Sequence, residues 1–174
     1  MEILAFVFSI LGQIMIITAT LLKGKRMKLI LLLLVGANFS YATSYVLNGT
    51  GFNGAASCYL GGLIAIVSYF FDSKGKQSPR WLLAIYAALF TVINIIFGSN
   101  ILTTILAIAA TMCFVISIAQ PNGKMFRFWT IGNLVCWITF DIISGTYSTL
   151  LAHSCQLAGT ILGVILHDRK EKTA

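Results

Sequence analysis

The sequence predicts an all-α fold: a polytopic membrane protein with seven transmembrane helices in a 3+1+3 parallel-repeat arrangement, N-terminus outside and C-terminus cytoplasmic. Three observations predict it. Of 174 residues, 58% are hydrophobic and only 10% charged, whereas a soluble domain carries roughly a quarter of its residues as charges. Apolar runs of the ~20 residues needed to cross hydrocarbon recur seven times. All 12 Lys and Arg residues fall in alternate connections: Lys23, Lys25, Arg26 and Lys28; Lys74, Lys76 and Arg80; Lys124 and Arg127; Arg169, Lys170 and Lys172. The turns between them, Asn48-Gly49-Thr50-Gly51, Gly98-Ser99-Asn100 and Gly145-Thr146-Tyr147, carry no charge. That alternation is the positive-inside pattern, and it sets orientation as well as span count.

The spans are expected at 3–22, 28–47, 53–72, 81–98, 101–120, 126–144 and 148–166. The first begins at Met-Glu-Ile-Leu, which lacks the basic segment of a cleaved signal. Its one charge is Glu2, while Lys23 to Lys28 follow it, so the N-terminus is expected outside. Pro79 and Pro121 fall between spans and mark cytoplasmic connections; Trp81 and Trp129 sit near cytoplasmic ends, as interfacial anchors do. No connection is long enough for an extramembrane domain, so function is expected inside the bundle.

A shift of 96 positions gives a self-match. Lys28 falls on Lys124, Gly36 on Gly132, Tyr41 on Trp137, Thr43 on Thr139, Gly49 on Gly145 and Thr50 on Thr146, and Asp72, Lys74 and Lys76 fall on Asp168, Lys170 and Lys172. One further residue aligns Ser57-Cys58 with Ser154-Cys155 and Gly62 with Gly159. The match divides the chain into a first three-helix repeat (1–78), a linker helix (79–99) and a second repeat with a short basic tail (100–174). An odd linker helix returns the second triplet to the orientation of the first, which makes the repeat parallel. Gly54, Cys58 and Gly62, and again Cys155, Gly159 and Gly163, are spaced by four. Such stripes of small residues let helices approach closely in lipid, and they can equally support a homodimer.

Polar side chains are costly in a bilayer and turn toward the bundle interior or water. Thr130, Asn133, Trp137 and Asp141 share one face of the sixth span, Asn38, Tyr41, Tyr45 and Asn48 one face of the second, and His153, Gln156 and Thr160 one face of the seventh. Gln13 and Asn94 stand isolated. Amides beside flat aromatic rings suit an organic ligand, so Asn38, Tyr41, Asn133, Trp137 and Gln156 are the expected substrate-binding residues. The alternative is interhelical hydrogen bonding that only joins the bundle. Asp141 and His153 lie one to two turns from the uncharged Gly145-Thr146-Tyr147 connection. They are read as a site for a proton or cation, against the plainer reading of a wetted acid and a histidine bonded to a carbonyl.

Other classes are disfavoured. Cys58, Cys113, Cys136 and Cys155 form no CxxC pair and read as packing residues, so no metal site is expected. No HExxH, GxSxG, P-loop or GxGxxG occurs, no Lys lies in the seventh span for a retinal Schiff base, and Asp141 has no partner carboxylate. The chain is therefore expected to be no enzyme and to hold no cofactor. The net charge of +7 flanks spans and forms no patch with interleaved aromatics, so membrane lipid, not nucleic acid, is the expected partner.

Residues 36–73, the Gly132-Asn133…Trp137…Asp141 stretch and the basic tail after Leu166 resemble the bacterial YgjV-type inner membrane family, and more distantly the SWEET and PnuC-type carriers. The resemblance implies a multi-pass protein of the bacterial inner membrane. The carriers imply small-solute transport by alternating access, but this chain has no proline in any span, so a proline-hinged gate does not carry over, nor do their sugar or nucleoside substrates. The expected function is a small-solute transporter of unknown substrate. A substrate-capture subunit that needs an energising partner, or a structural or assembly protein without a small ligand, are the alternatives.

Overall fold

A computed structural model describes residues 2–22, 27–49, 52–76, 78–98, 100–120 and 122–168. The basic residues Lys23, Lys25, Arg26, Arg169, Lys170 and Lys172, together with Thr50, Gly51, Ser99 and Pro121, lie outside them. Seven helices occupy almost all of the described chain: α1 (Glu2–Leu21), α2 (Met27–Asn48), α3 (Phe52–Ser73), α4 (Arg80–Phe97), α5 (Ile101–Ile118), α6 (Gly123–Ser144) and α7 (Tyr147–Gly163). α7 runs on into a π-helical turn, Val164–Asp168. All seven are long and apolar enough to cross a membrane, and no strand occurs among the described residues.

Local chemistry sets the ends. Asn100 caps α5 by accepting from the Leu102 N–H at 2.8 Å. Asn122 caps α6 through the Met125 N–H at 2.8 Å, filling one of the donors that a helix start leaves open. That cap starts α6 at Gly123, three residues before the expected 126, and places Arg127 inside the second turn. Arg127, counted above with the loop cations, is consequently buried at 2% exposure, where it packs beside Gly163 of α7. α6 ends on Gly145 at φ 69°, a left-handed cap that glycine adopts without a Cβ clash. Pro79 sits at the start of α4, where a missing N–H costs nothing.

The helices form a ring in chain order. α1 packs on α2, α2 on α3, α5 on α6, α6 on α7, and α7 closes the ring on α1. α4 leans on α3 and α5 from outside, while α3 and α5 also touch directly. The peripheral place of α4 shows in its burial: only Tyr86, Phe90 and Asn94, four apart on one stripe, are covered. Large apolar side chains such as Ile3, Ile95, Ile101 and Phe128 face outward. In lipid that outward face is already solvated, so the interior is free to hold polar groups provided they are bonded. Ser44 Oγ, for example, donates to the Ala5 carbonyl at 2.8 Å and joins α2 to α1.

The glycine stripes act differently on α3 and α7. A Cβ on Gly54 would lie 3.1 Å from the Tyr45 ring, and one on Gly62 3.0 Å from the Phe39 ring. The glycines of α3 thus receive aromatic side chains of α2 and do not bring two backbones together. On α7, a Cβ at Gly163 would lie 2.7 Å from the Thr20 carbonyl oxygen, a true backbone approach that a side chain would force apart. Gly163→Ala is therefore expected to destabilise the bundle by about 1–3 kcal/mol. Gly132→Ala, whose Cβ would meet only Cys113 Sγ at 3.4 Å, is expected to leave stability unchanged or to raise it by up to about 1 kcal/mol. Unfolding of the detergent-purified variants measures both; equal effects at the two positions would contradict this packing.

Candidate functional site

The polar focus of the molecule is the α6–α7 corner at the uncharged end. Asp141 has no exposed side-chain surface. Its Oδ1 accepts from Thr146 Oγ1 and Thr149 Oγ1, each at 2.8 Å, and its Oδ2 lies 2.6 Å from His153 Nδ1. Thr146 is the N-cap of α7, yet its hydroxyl makes no capping bond and turns to the carboxylate. The Gly145 and Thr146 N–H groups also bond the Asp141 main-chain carbonyl. Thr149 and His153, four apart on α7, present one face to Asp141. A turn of two residues is thereby folded around one acid.

The bond from Asp141 fixes the histidine. With the carboxylate on Nδ1, that nitrogen carries a proton and the second nitrogen, Nε2, remains for other partners. Nε2 has no hydrogen-bond partner among the described residues. The His153 ring stacks on Trp137 with centroids 5.9 Å apart and planes 17° from parallel. It meets Tyr41 of α2 at 6.1 Å. Trp137 is braced from behind by Phe140, edge-on at 5.2 Å.

His153 forms part of the wall of a cavity of about 70 Å³ at the centre of the ring, to which all seven helices contribute. α1 gives Ile16 and Thr20; α2 gives Leu34, Asn38, Tyr41 and Tyr45; α3 gives Ser57, Cys58 and Gly61; and α4 gives Phe90. α5 adds Thr111, Phe114 and Ser117, α6 adds Phe126, Thr130, Asn133 and Trp137, and α7 adds His153 and Gln156. A single water needs only ~10–15 Å³ of such space, while ~150 Å³ accommodates a benzene. The cavity thus has room for a few waters or a solute of a few heavy atoms.

The residues singled out from sequence converge here. Asn38, Tyr41, Asn133, Trp137, Gln156 and His153 all line the one cavity, with Asp141 directly behind His153. Asn48 does not join them; it lies exposed at the end of α2. Thr160 is buried but bonds the Gln156 carbonyl. Asn94 is not isolated: it is fully covered, and its Oδ1 lies 3.2 Å from Ser57 Oγ, tying α4 to α3. The sequence reading missed Thr146 and Thr149 as partners of Asp141, although hydroxyls five and eight residues after a buried acid, across a tight turn, were a usable signal. Ser57, Thr111 and Ser117 gave no signal, because lone hydroxyls in apolar spans usually bond their own helix. Among the described residues no three His, Cys, Asp or Glu side chains gather as metal ligands. The four cysteines are free and half-buried.

A second recess of about 180 Å³ opens at the basic end, between the start of α2 and the ends of α3 and α5. Leu31, Ser68, Asp72, Lys76 and Ile118 are among its lining residues. Leu31 precedes cavity-lining Leu34 by one turn, and Ile118 follows cavity-lining Ser117. On α3, Ile64 lies between Gly61 of the cavity and Ser68 of the recess. Leu31, Leu34, Ile64 and Ile118 belong to one buried apolar cluster that includes lining residues of both spaces.

Removing the acid is expected to be costly for the fold. Asp141→Ala strands the Thr146 hydroxyl and His153, while Thr149 keeps the Thr146 carbonyl as acceptor, and a loss of about 3–5 kcal/mol is expected, as for other broken buried pairs. Asp141→Asn keeps an oxygen for the threonines and should lose clearly less. Chemical or thermal unfolding of the two variants separates them; an alanine variant as stable as wild type would refute the arrangement.

No curated protein and no solved structure matches the chain. The family model of the bacterial inner membrane proteins Imp-YgjV matches residues 3–171. With seven membrane-spanning helices and a match over nearly its full length, the chain belongs to the Imp-YgjV family and is a multi-pass protein of the bacterial inner membrane.

Proposed function

We propose that the protein is a small-solute carrier that works by alternating access between two three-helix units, α1–α3 and α5–α7, with α4 as the linker. The observation that carries this reading is the central cavity, polar, walled by every helix and backed by a buried acid–histidine pair. A bundle held together only by interhelical bonds has no need to converge its amides, phenols and histidine on one space.

Three features support the division into units. The helix neighbours keep their pattern when α1, α2 and α3 are exchanged for α5, α6 and α7: α1–α2 becomes α5–α6, α2–α3 becomes α6–α7, and α7–α1 becomes α3–α5. The site lies between the units, as in carriers built from repeats. The recess at the basic end, which shares an apolar cluster with the cavity wall, is placed to become the mouth of a cytoplasmic path if the basic connections face the cytoplasm. Exposed Trp81 beside Arg80 suits an anchor at the lipid headgroups on that side. The reading assigns no bond-making chemistry to the site.

Cys58, a thiol native to the cavity wall, gives a direct test. With Cys113, Cys136 and Cys155 replaced by alanine, N-ethylmaleimide labelling of Cys58 reports access to the cavity. Thinning the apolar cluster with Ile64→Ala is expected to raise the labelling rate severalfold when reagent is offered from the basic side. Equal rates with and without Ile64→Ala would count against a gate there. Trp137→Ala, which removes the platform under His153, is expected to abolish solute binding while the protein stays folded; unaltered binding would argue against the cavity as the substrate site.

A further inference from the structure

The substrate class can be narrowed from the direction of the hydrogen bonds in the cavity wall, taking the carrier reading as its basis. Every Ser and Thr hydroxyl that lines the cavity already donates its one proton to the wall. Thr20 donates to Ile17 O, Thr111 to Ala107 O, Ser117 to Phe114 O and Thr130 to Phe126 O, while Ser57 donates to Asn94 Oδ1. Each hydroxyl can therefore only accept from a ligand. The two asparagines each commit one amide N–H in the same way and keep the other, and the Gln156 amide on the same wall adds both a donor and an acceptor. Asn38 Nδ2 donates to Leu34 O and Asn133 Nδ2 to Ala110 O, each at 2.8 Å. A main-chain carbonyl accepts only from the amide nitrogen, so these orientations are fixed and the Oδ1 atoms remain as acceptors. His153, held through Nδ1 by Asp141, offers the Nε2 lone pair.

One further group is left open. The Tyr41 hydroxyl is buried, lines the cavity and has no hydrogen-bond partner among the described residues, whereas the Tyr45 hydroxyl faces Thr149. An orphaned phenol in a covered site costs free energy, and a ligand that reaches it removes that cost.

Charge points the same way. Asp141 is a buried carboxylate whose one ionisable hydrogen-bond partner is His153, and with a neutral imidazole the pair carries a net negative charge. Arg127, the buried cation on the same helix, stands ten residues from Trp137, roughly 15 Å along the axis. While the imidazole is neutral, an anion would meet the Nε2 lone pair with the carboxylate close behind it, and a neutral solute would leave the charge of the pair unbalanced. We infer that the cavity takes a small protonated amine, its ammonium donating to His153 Nε2, the asparagine oxygens and the Tyr41 oxygen. At about 70 Å³ the fit is to a cation of the size of ammonium or methylammonium.

The test uses methylammonium chloride as probe at neutral pH, with sodium acetate and formamide as anionic and neutral probes of similar size and sodium chloride as the salt control. Detergent-purified protein is melted with each, and currents are recorded from proteoliposomes on a supported membrane after a concentration jump, which sees the cation but not diffusing free base. Saturating methylammonium is expected to raise the melting midpoint by about 5 °C and to evoke a current. Asp141→Asn, checked for folding by its elution profile, is expected to lose both responses. Stabilisation or uptake with formamide or acetate and none with methylammonium would overturn the amine assignment and leave the carrier reading standing. A current evoked by a pH jump alone, unchanged by methylammonium, would make the proton the cargo and likewise overturn it. Silence from methylammonium in both measurements would overturn the amine assignment, while the Cys58 labelling test, which needs no solute, bears on the carrier reading separately.

Discussion

A carboxylate with no exposed surface inside a membrane bundle has to be answered on all sides, and the arrangement of the uncharged end follows from how Asp141 is answered. Ionised, it would face a desolvation cost of several kcal/mol that only close hydrogen bonds offset. Thr146 and Thr149 saturate one oxygen and His153 takes the other. To supply these donors, α7 must begin immediately after α6 and run back against it. The left-handed glycine at 145 makes that reversal available. The same bond that solves the burial problem turns the imidazole edge toward the cavity and lays its face on Trp137. Fold and site are thus consequences of one constraint.

Lipid reverses the usual logic of a core. Hydrocarbon around the helices removes the penalty for outward apolar side chains, so packing inside is decided by fit and hydrogen bonding and not by the escape of apolar surface from water. This accounts for a molecule whose buried residues include Asn53, Asn94, Asp141, Arg127 and Gln156 while Ile3, Ile101 and Tyr147 face outward. It also accounts for the mixed use of glycine. On α3, Gly54 and Gly62 make room for the rings of Tyr45 and Phe39, and Gly61 leaves space for the Asn38 oxygen, 2.8 Å from where a Cβ would stand. These vacancies position the cavity-facing side of α2.

The parts of this structure legible in the sequence are those that depend on period and charge. Span limits came within three residues of the helix ends, because hydrocarbon thickness and the alternation of basic and uncharged turns leave little freedom. The lining residues Asn38, Tyr41, Asn133, Trp137 and Gln156 were legible because polar residues at spacings of three and four on an apolar helix have only one direction to face. What depends on partners across helices was not legible. Asn94 looked isolated since Ser57 is 37 residues away, and Arg127 looked like a loop cation since the cap at Asn122 is a local detail. The role of the cavity hydroxyls was equally hidden: a serine or threonine in a sequence is both donor and acceptor, and only the fold reveals which role the wall has already taken.

The two ends of the cavity are closed by different forces, and that difference bears on which opens more readily. At the uncharged end, closure rests on directional bonds: Asp141 with three side-chain partners, and Tyr45 seated in the space left by Gly54. Opening there breaks several charge-assisted bonds together and leaves their partners buried and unpaired. At the basic end, closure rests on Leu31, Leu34, Ile64 and Ile118, whose contacts are non-directional and can slide with little loss as long as some apolar surface still faces them. A recess already stands beside that cluster. On the proposed carrier reading, the apolar side is therefore the one expected to open more readily. The end held by Asp141 needs a compensating change at the carboxylate before it can part, and His153 is in contact with both the carboxylate and the cavity. On the carrier reading, a ligand at Nε2 would alter the strength of the Nδ1–Asp141 bond through the ring, and occupancy of the cavity would be coupled to the uncharged end through a single imidazole.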